Sequence, residues 1–77
     1  MEFMVNGTYA VLYSQGYGEP TILDYIKVIG RKNNILSFKD RLGKCYTARI
    51  QNDGMSEYIK PSQYHNGKYK IWAEHTA

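Results

Sequence analysis

Little in this chain could staple it from outside its own core. Its 77 residues include one cysteine, Cys45, and two prolines. A lone thiol excludes an internal disulfide and a multi-cysteine zinc site, and it points to a reducing, cytoplasmic setting. No stretch approaches the roughly 18 to 20 consecutive apolar residues that a membrane-crossing helix needs. The opening "MEFMVNGTYAVLY" has an acidic second residue and no basic leader, so no signal peptide is expected. The expectation is a soluble chain with no membrane partner.

Helical patterning is missing as well. Nowhere do apolar residues recur at i, i+3, i+4 and i+7 over three turns. The ingredients of a catalytic centre are equally sparse. The two histidines, His65 and His75, stand ten residues apart, one in a turn and one near the end of the chain. Cys45 has no neighbour that would make it a thiolate. "GYGEP" lacks the following helix that would turn its glycines into a phosphate cradle. No nucleophile with a base, no paired carboxylates and no metal-ligand spacing emerge, so neither an enzyme nor a cofactor or metal site is expected.

What the chain does contain is strand-forming residues between turn formers: 43% of it is hydrophobic, with eight tyrosines, two phenylalanines and one tryptophan. "VNGTYAVLY" alternates Tyr9, Val11 and Tyr13 with Thr8, Ala10 and Leu12. "ILDYIKVIGRK" places Ile22, Asp24, Ile26, Val28 and Gly30 on one face and Leu23, Tyr25, Lys27, Ile29 and Arg31 on the other. Both faces are partly apolar, as in a long curved strand shared by two halves of a small barrel. Asn33-Asn34 supplies the left-handed conformations of a tight hairpin turn. "ILSFKD", "CYTARIQ", "MSEYIKP" and "KYKIWAE" follow as strands, with "RLGK" and "NDG" as turns. Pro61 opens a short 3₁₀ turn near residues 61–64. The spacing predicts an all-β fold, one small five- or six-stranded barrel domain over residues 1–77. Its core is built from Val11, Ile26, Val28, Leu36, Phe38, Ala48, Ile50, Ile59 and Ile71. Closure into a barrel removes most exposed edges, although a remaining edge strand leaves room for a homodimer.

Charge is unevenly spread. The formal net charge is +3, yet residues 25–50 hold seven cations against Asp40 alone, and the flanks are acidic. Lysines and arginines on adjacent strands beside aromatic rings are what single-strand binders use for phosphates and bases. The first functional expectation is therefore a non-enzymatic nucleic-acid-binding module. Arg31, Lys32, Lys39, Arg41, Lys44 and Arg49 would contact phosphates, and Tyr25 or Tyr46 would stack on a base. The alternative is a protein-interaction or inhibitor module that uses Tyr13, Tyr17, Tyr64 and Trp72 as aromatic anchors.

Two resemblances bear on this. "SEYIKPSQYHN" resembles the strand, 3₁₀ turn and strand of Src-homology-type barrels, with Pro61, Ser62 and Tyr64 matching part of their aromatic peptide groove. "VLYSQGY" lacks an acidic residue and no tryptophan opens the strand at Ile35, so the likeness implies the barrel rather than proline-rich peptides. From Lys27 to Tyr64 the order of basic hairpin, Asp53-Gly54 turn, Glu57-Tyr58-Ile59 strand and following proline is similar to small proteins encoded on bacterial mobile elements and prophages. That resemblance implies either handling of nucleic acid or inhibition of a host protein.

Overall fold

The structure is a computed structural model and describes residues 1–13 and 18–76. Tyr17, one of the expected aromatic anchors, lies outside the described residues. Among the described residues seven strand segments are present: β1 (Thr8–Tyr13), β2 (Thr21–Lys32), β3 (Ile35–Lys39), β4 (Cys45–Arg49), β5 (Gln51–Asn52), β6 (Glu57–Ile59) and β7 (Ile71–Trp72). They form two antiparallel sheets, a four-stranded one in the order β1-β2-β3-β4 and a three-stranded one in the order β5-β6-β7. The all-β class is as the alternating pattern implies. The chain passes from β4 to β5 through Ile50 alone, whose N–H donates to Asn34 O at 2.6 Å.

The core lies between the sheets. Val11, Ile26, Val28, Leu36, Phe38, Ile59 and Ile71 are fully buried, as their alternation requires, while Ala48 and Ile50 are half-buried against that cluster. Phe3, Tyr9, Tyr64 and Ala73 join the core too. Phe3 arrives on an N-terminal arm tied down by Asn6 N–H to Val28 O at 2.8 Å and Glu57 N–H to Met1 O at 2.9 Å. The arm turns at Gly7, where a Cβ would come within 2.9 Å of Met4 O and the Tyr9 ring.

Two irregularities in β2 decide which side chains face out. Val11 pairs with Asp24 but Leu12 with Ile22, so Leu23 is an extra residue; Val28 pairs with Phe38 but Gly30 with Ser37, so Ile29 is another. Each extra residue reverses the alternation beyond it. Ile22 moves to the outer side, at 49% exposure. Arg31, expected on the outer face, becomes the cross-strand partner of the buried Leu36.

Turns follow the expected positions with changes in detail. In the Asn33-Asn34 hairpin only Asn33 takes a positive φ, 57°. Near Pro61 a first turn closes by Tyr64 N–H donating to Pro61 O at 3.2 Å, and the 3₁₀ element itself is displaced to His65–Gly67. His65, Asn66 and Gly67 have φ of 50°, 56° and 68°, a left-handed turn assembled from residue types that tolerate that region. No helix among the described residues is long and apolar enough to cross a membrane.

Candidate nucleic-acid interface

The cross-strand pairs define the outer face of the four-stranded sheet. Thr8, Lys27, Lys39 and Cys45 form one row, and Lys32, Ile35 and Arg49 another. Between them lie Gly30, Ser37 and Thr47. Tyr25, paired with Ala10, stands beyond the first row at 40% exposure. The two rows are four residue steps apart along β3, about 13 Å at a strand's rise. Small side chains in the middle leave a shallow cleft of about 280 Å³, walled by Ile29 and running over Ser37 and Thr47 toward Gln63. None of the strand positions that these pairings place on this face is a carboxylate.

Lys27 and Lys39 are direct cross-strand partners. Like charges facing each other across two strands destabilise the sheet. Folding alone does not call for this pair, and an anion bridging both ammonium groups would relieve the repulsion.

The remaining expected contacts sit elsewhere. Arg31 is turned to Glu57, with Nη1 and Nη2 each 2.6 Å from a carboxylate oxygen, and Nη1 also donates to Phe3 O at 3.3 Å. Its guanidinium is occupied by folding. Tyr46 points inward, stacked on Phe38 at 5.5 Å between ring centroids and edge-on to Tyr64 at 5.2 Å. Arg41 and Lys44 belong to the turn between β3 and β4, which Asp40 organises by accepting from the N–H groups of Leu42 and Lys44. Arg41 Nε lies 3.7 Å from Asp24 Oδ1, and Lys44 Nζ lies over the Tyr46 ring at 5.4 Å. The outer face thus brings together Lys32, Lys39, Arg49 and Tyr25 and adds Lys27, while Arg31 is turned away from it and Tyr46 borders the cleft with its ring packed on Phe38 and Tyr64.

The aromatic anchors also divide. Tyr64 is buried, and its hydroxyl donates to Asp24 Oδ2 at 2.9 Å. Burial, and then that hydrogen bond, push its pKa up, so the group remains a donor. Tyr13 and Trp72 do share a groove, of about 490 Å³, with Tyr69 and three lysines.

No known family, curated protein or solved structure matches this chain. The site is therefore read from its own geometry. Among the described residues no group of His, Cys, Asp and Glu side chains is placed to hold a metal ion. Of the cations not expected at a site, Lys27 belongs to the basic run of residues 25–50, whereas Lys60, Lys68 and Lys70 lie outside it. Lys27 stands two residues from Tyr25, and "KYK" interleaves two lysines with Tyr69.

Proposed function

We propose that this protein is a non-enzymatic module that binds single-stranded nucleic acid on the outer face of its four-stranded sheet. The observation that carries the reading is the pairing of Lys27 with Lys39, beside Tyr25, on a sheet face whose paired positions hold no carboxylate. Lys27, Lys39, Lys32 and Arg49 would neutralise phosphates at the two ends of the face. Tyr25 offers an exposed ring and the Ile29 cleft an apolar wall, the combination of charge and stacking that sequence-tolerant single-strand binders use. An open sheet face suits splayed bases better than a duplex groove, which takes a protruding helix or ribbon. We read the two sheets as a small open barrel of Src-homology-like layout, acting in a reducing, cytoplasmic compartment that suits the exposed thiol of Cys45.

Fluorescence anisotropy with labelled single-stranded and duplex oligonucleotides at two salt concentrations tests this. Single strands are expected to bind more tightly, and log K should fall with log[salt] at a slope of about −3, from roughly 0.7 per phosphate over four cations. Exchanging both Lys27 and Lys39 for Glu should weaken binding at least about tenfold, the order expected for losing two phosphate contacts. No binding at low salt overturns the reading.

A further inference from the structure

We propose that the groove between the end of β1 and β7 is a second contact for the same nucleic-acid strand. Tyr13, Tyr69 and Trp72 would stack on a base there, and Lys60, Lys68 and Lys70 would bind the flanking phosphates. The inference rests on the nucleic-acid reading above and extends it to a second site.

At about 490 Å³ the groove has room for a nucleotide. Its rings are set at angles to one another: Tyr13 and Tyr69 meet edge-on at 5.9 Å and 85°. Lys68 Nζ stands over both of them, 5.7 and 5.4 Å from the centroids. Lys70 Nζ stands over Tyr58 and Trp72 at 5.1 and 6.0 Å. Two ammonium groups are thus held beside aromatic rings, where the phosphates on either side of a stacked base would pass.

Among the described residues no carboxylate lines the groove. Glu74 comes near it, 3.9 Å from Nε2 of the lining His75, with both side chains well exposed. Glu19, next in sequence to the lining Pro20, is likewise exposed. Cation–π contacts at exposed sites are weak, and three clustered lysines repel one another, so packing does not account for the arrangement. A polyanion does. Lysine also suits a phosphate backbone as a point charge, whereas the groove holds no arginine fork to pair two-pronged with the carboxylates of an acidic peptide. An acidic peptide would in addition leave the rings without a flat partner.

The groove and the sheet face are continuous. Leu12 lines the groove, and its cross-strand partner is Ile22 on the outer face. From Ile22, β2 leads past Tyr25 to Lys27, about 13 Å along the paired stretch of β1 from Leu12 to Thr8. One nucleic-acid strand following that path would meet rings at both ends and lysines at both ends.

Trp72 is the only tryptophan, so its emission reports on the groove and not on the sheet face. The test titrates the full chain with oligothymidylates of about 4 and about 12 nucleotides, lengths that bracket common single-strand site sizes. Anisotropy of the labelled oligonucleotide and Trp72 emission are followed together. The longer strand should bind at least about tenfold tighter and quench Trp72. Changing Lys68 and Lys70 together to Glu should abolish the quench and that length advantage while the shorter strand still binds. The pair Lys68→Gln and Lys70→Gln, with circular dichroism, separates lost binding from lost folding. Binding by anisotropy with unchanged emission and no effect of these variants overturns the groove and leaves the sheet face standing. Quenching that survives Glu at both Lys27 and Lys39 with undiminished affinity keeps the groove and overturns the sheet face. No binding of either strand at low salt overturns both. Quenching by an oligoglutamate peptide as strong as by the oligonucleotide overturns the assignment in favour of an acidic protein.

Discussion

Glu57 is a carboxylate whose side chain keeps only 7% exposure, held by the Phe3 N–H at 2.9 Å and by both terminal nitrogens of Arg31. Those Arg31 hydrogen bonds lower its pKa below the ordinary glutamate value of 4.5, against the opposing effect of burial. A carboxylate with a folded-state pKa below its unfolded one adds stability that is fully present above the unfolded value. That stability is lost as pH falls from about 4.5 through the folded value. Arg31, raised by the same contact, stays charged throughout and adds no slope of its own in this range. Thermal melts should show the midpoint falling below pH 4.5, with a shallower fall in Glu57→Gln. Asp53 is lowered by the Ser56 and Met55 N–H groups and acts in the same direction, so the variant, not the wild-type slope, isolates Glu57. Replacing Arg31 by Ala strands the Glu57 carboxylate. Urea unfolding should register a loss of about 2 kcal/mol, below the fully buried case because the Arg31 side chain keeps 28% exposure to water. Oligonucleotide affinity of a folded Arg31→Met protein should be unchanged, and a large drop would return Arg31 to the binding face. Arg31 was legible as a cation but not as a partner of Glu57, because strict alternation placed it on the wrong side of β2.

At the scale of elements, the outer face sets folding against the proposed binding. Lys27 and Lys39 oppose each other with β-carbons about 5 Å apart, and such pairs cost a few tenths of a kcal/mol or more. Lys39→Gln should therefore raise thermal stability slightly at low ionic strength, with the gain fading in high salt, while it weakens oligonucleotide binding. A variant that is less stable at low salt would remove the repulsion from the account. The turn supporting Gly7 is a second test of local geometry. Gly7→Ala drives a methyl against Met4 O and the Tyr9 ring, and chemical denaturation should show a loss of about 1–3 kcal/mol. Element positions were readable because β3 and β4 alternate along their lengths and β2 does so between its bulges, around Ile26 and Val28. The two extra residues, Leu23 and Ile29, were not, since the apolar residues they put on both faces of β2 read equally well as a strand buried on both sides. They govern the faces of Ile22 and Arg31, so composition located the basic segment while the bulges decided which of its side chains share a surface.

For the whole molecule, the cations of residues 25–50 separate into three populations, of which Arg41 and Lys44 in the turn between β3 and β4 are one. Arg31 is spent on cohesion, while Lys27, Lys32, Lys39 and Arg49 lie on one face of the sheet. The tyrosines divide likewise. Tyr9 and Tyr64 belong to the core, and Tyr25 and Tyr13 border the two candidate contacts. Residue type could not sort them, because the same ring serves either purpose and only the packing of the two sheets tells them apart. The N-terminal arm shows how far cohesion extends along the chain. Phe3 is 2% exposed and its N–H caps Glu57, so removing residues 1–5 should cost several kcal/mol. Small domains hold only about 5–15 kcal/mol in total, so the truncated chain is expected to lose a cooperative melt. Cys45 has a different consequence. It is exposed and is the cross-strand partner of Lys39, so the protein's one thiol opens directly onto the proposed binding surface. A bulky maleimide attached there would act as a plug, occluding the sheet face while Trp72 stays free to respond, so a single alkylation could uncouple the two ends of the path without changing a codon.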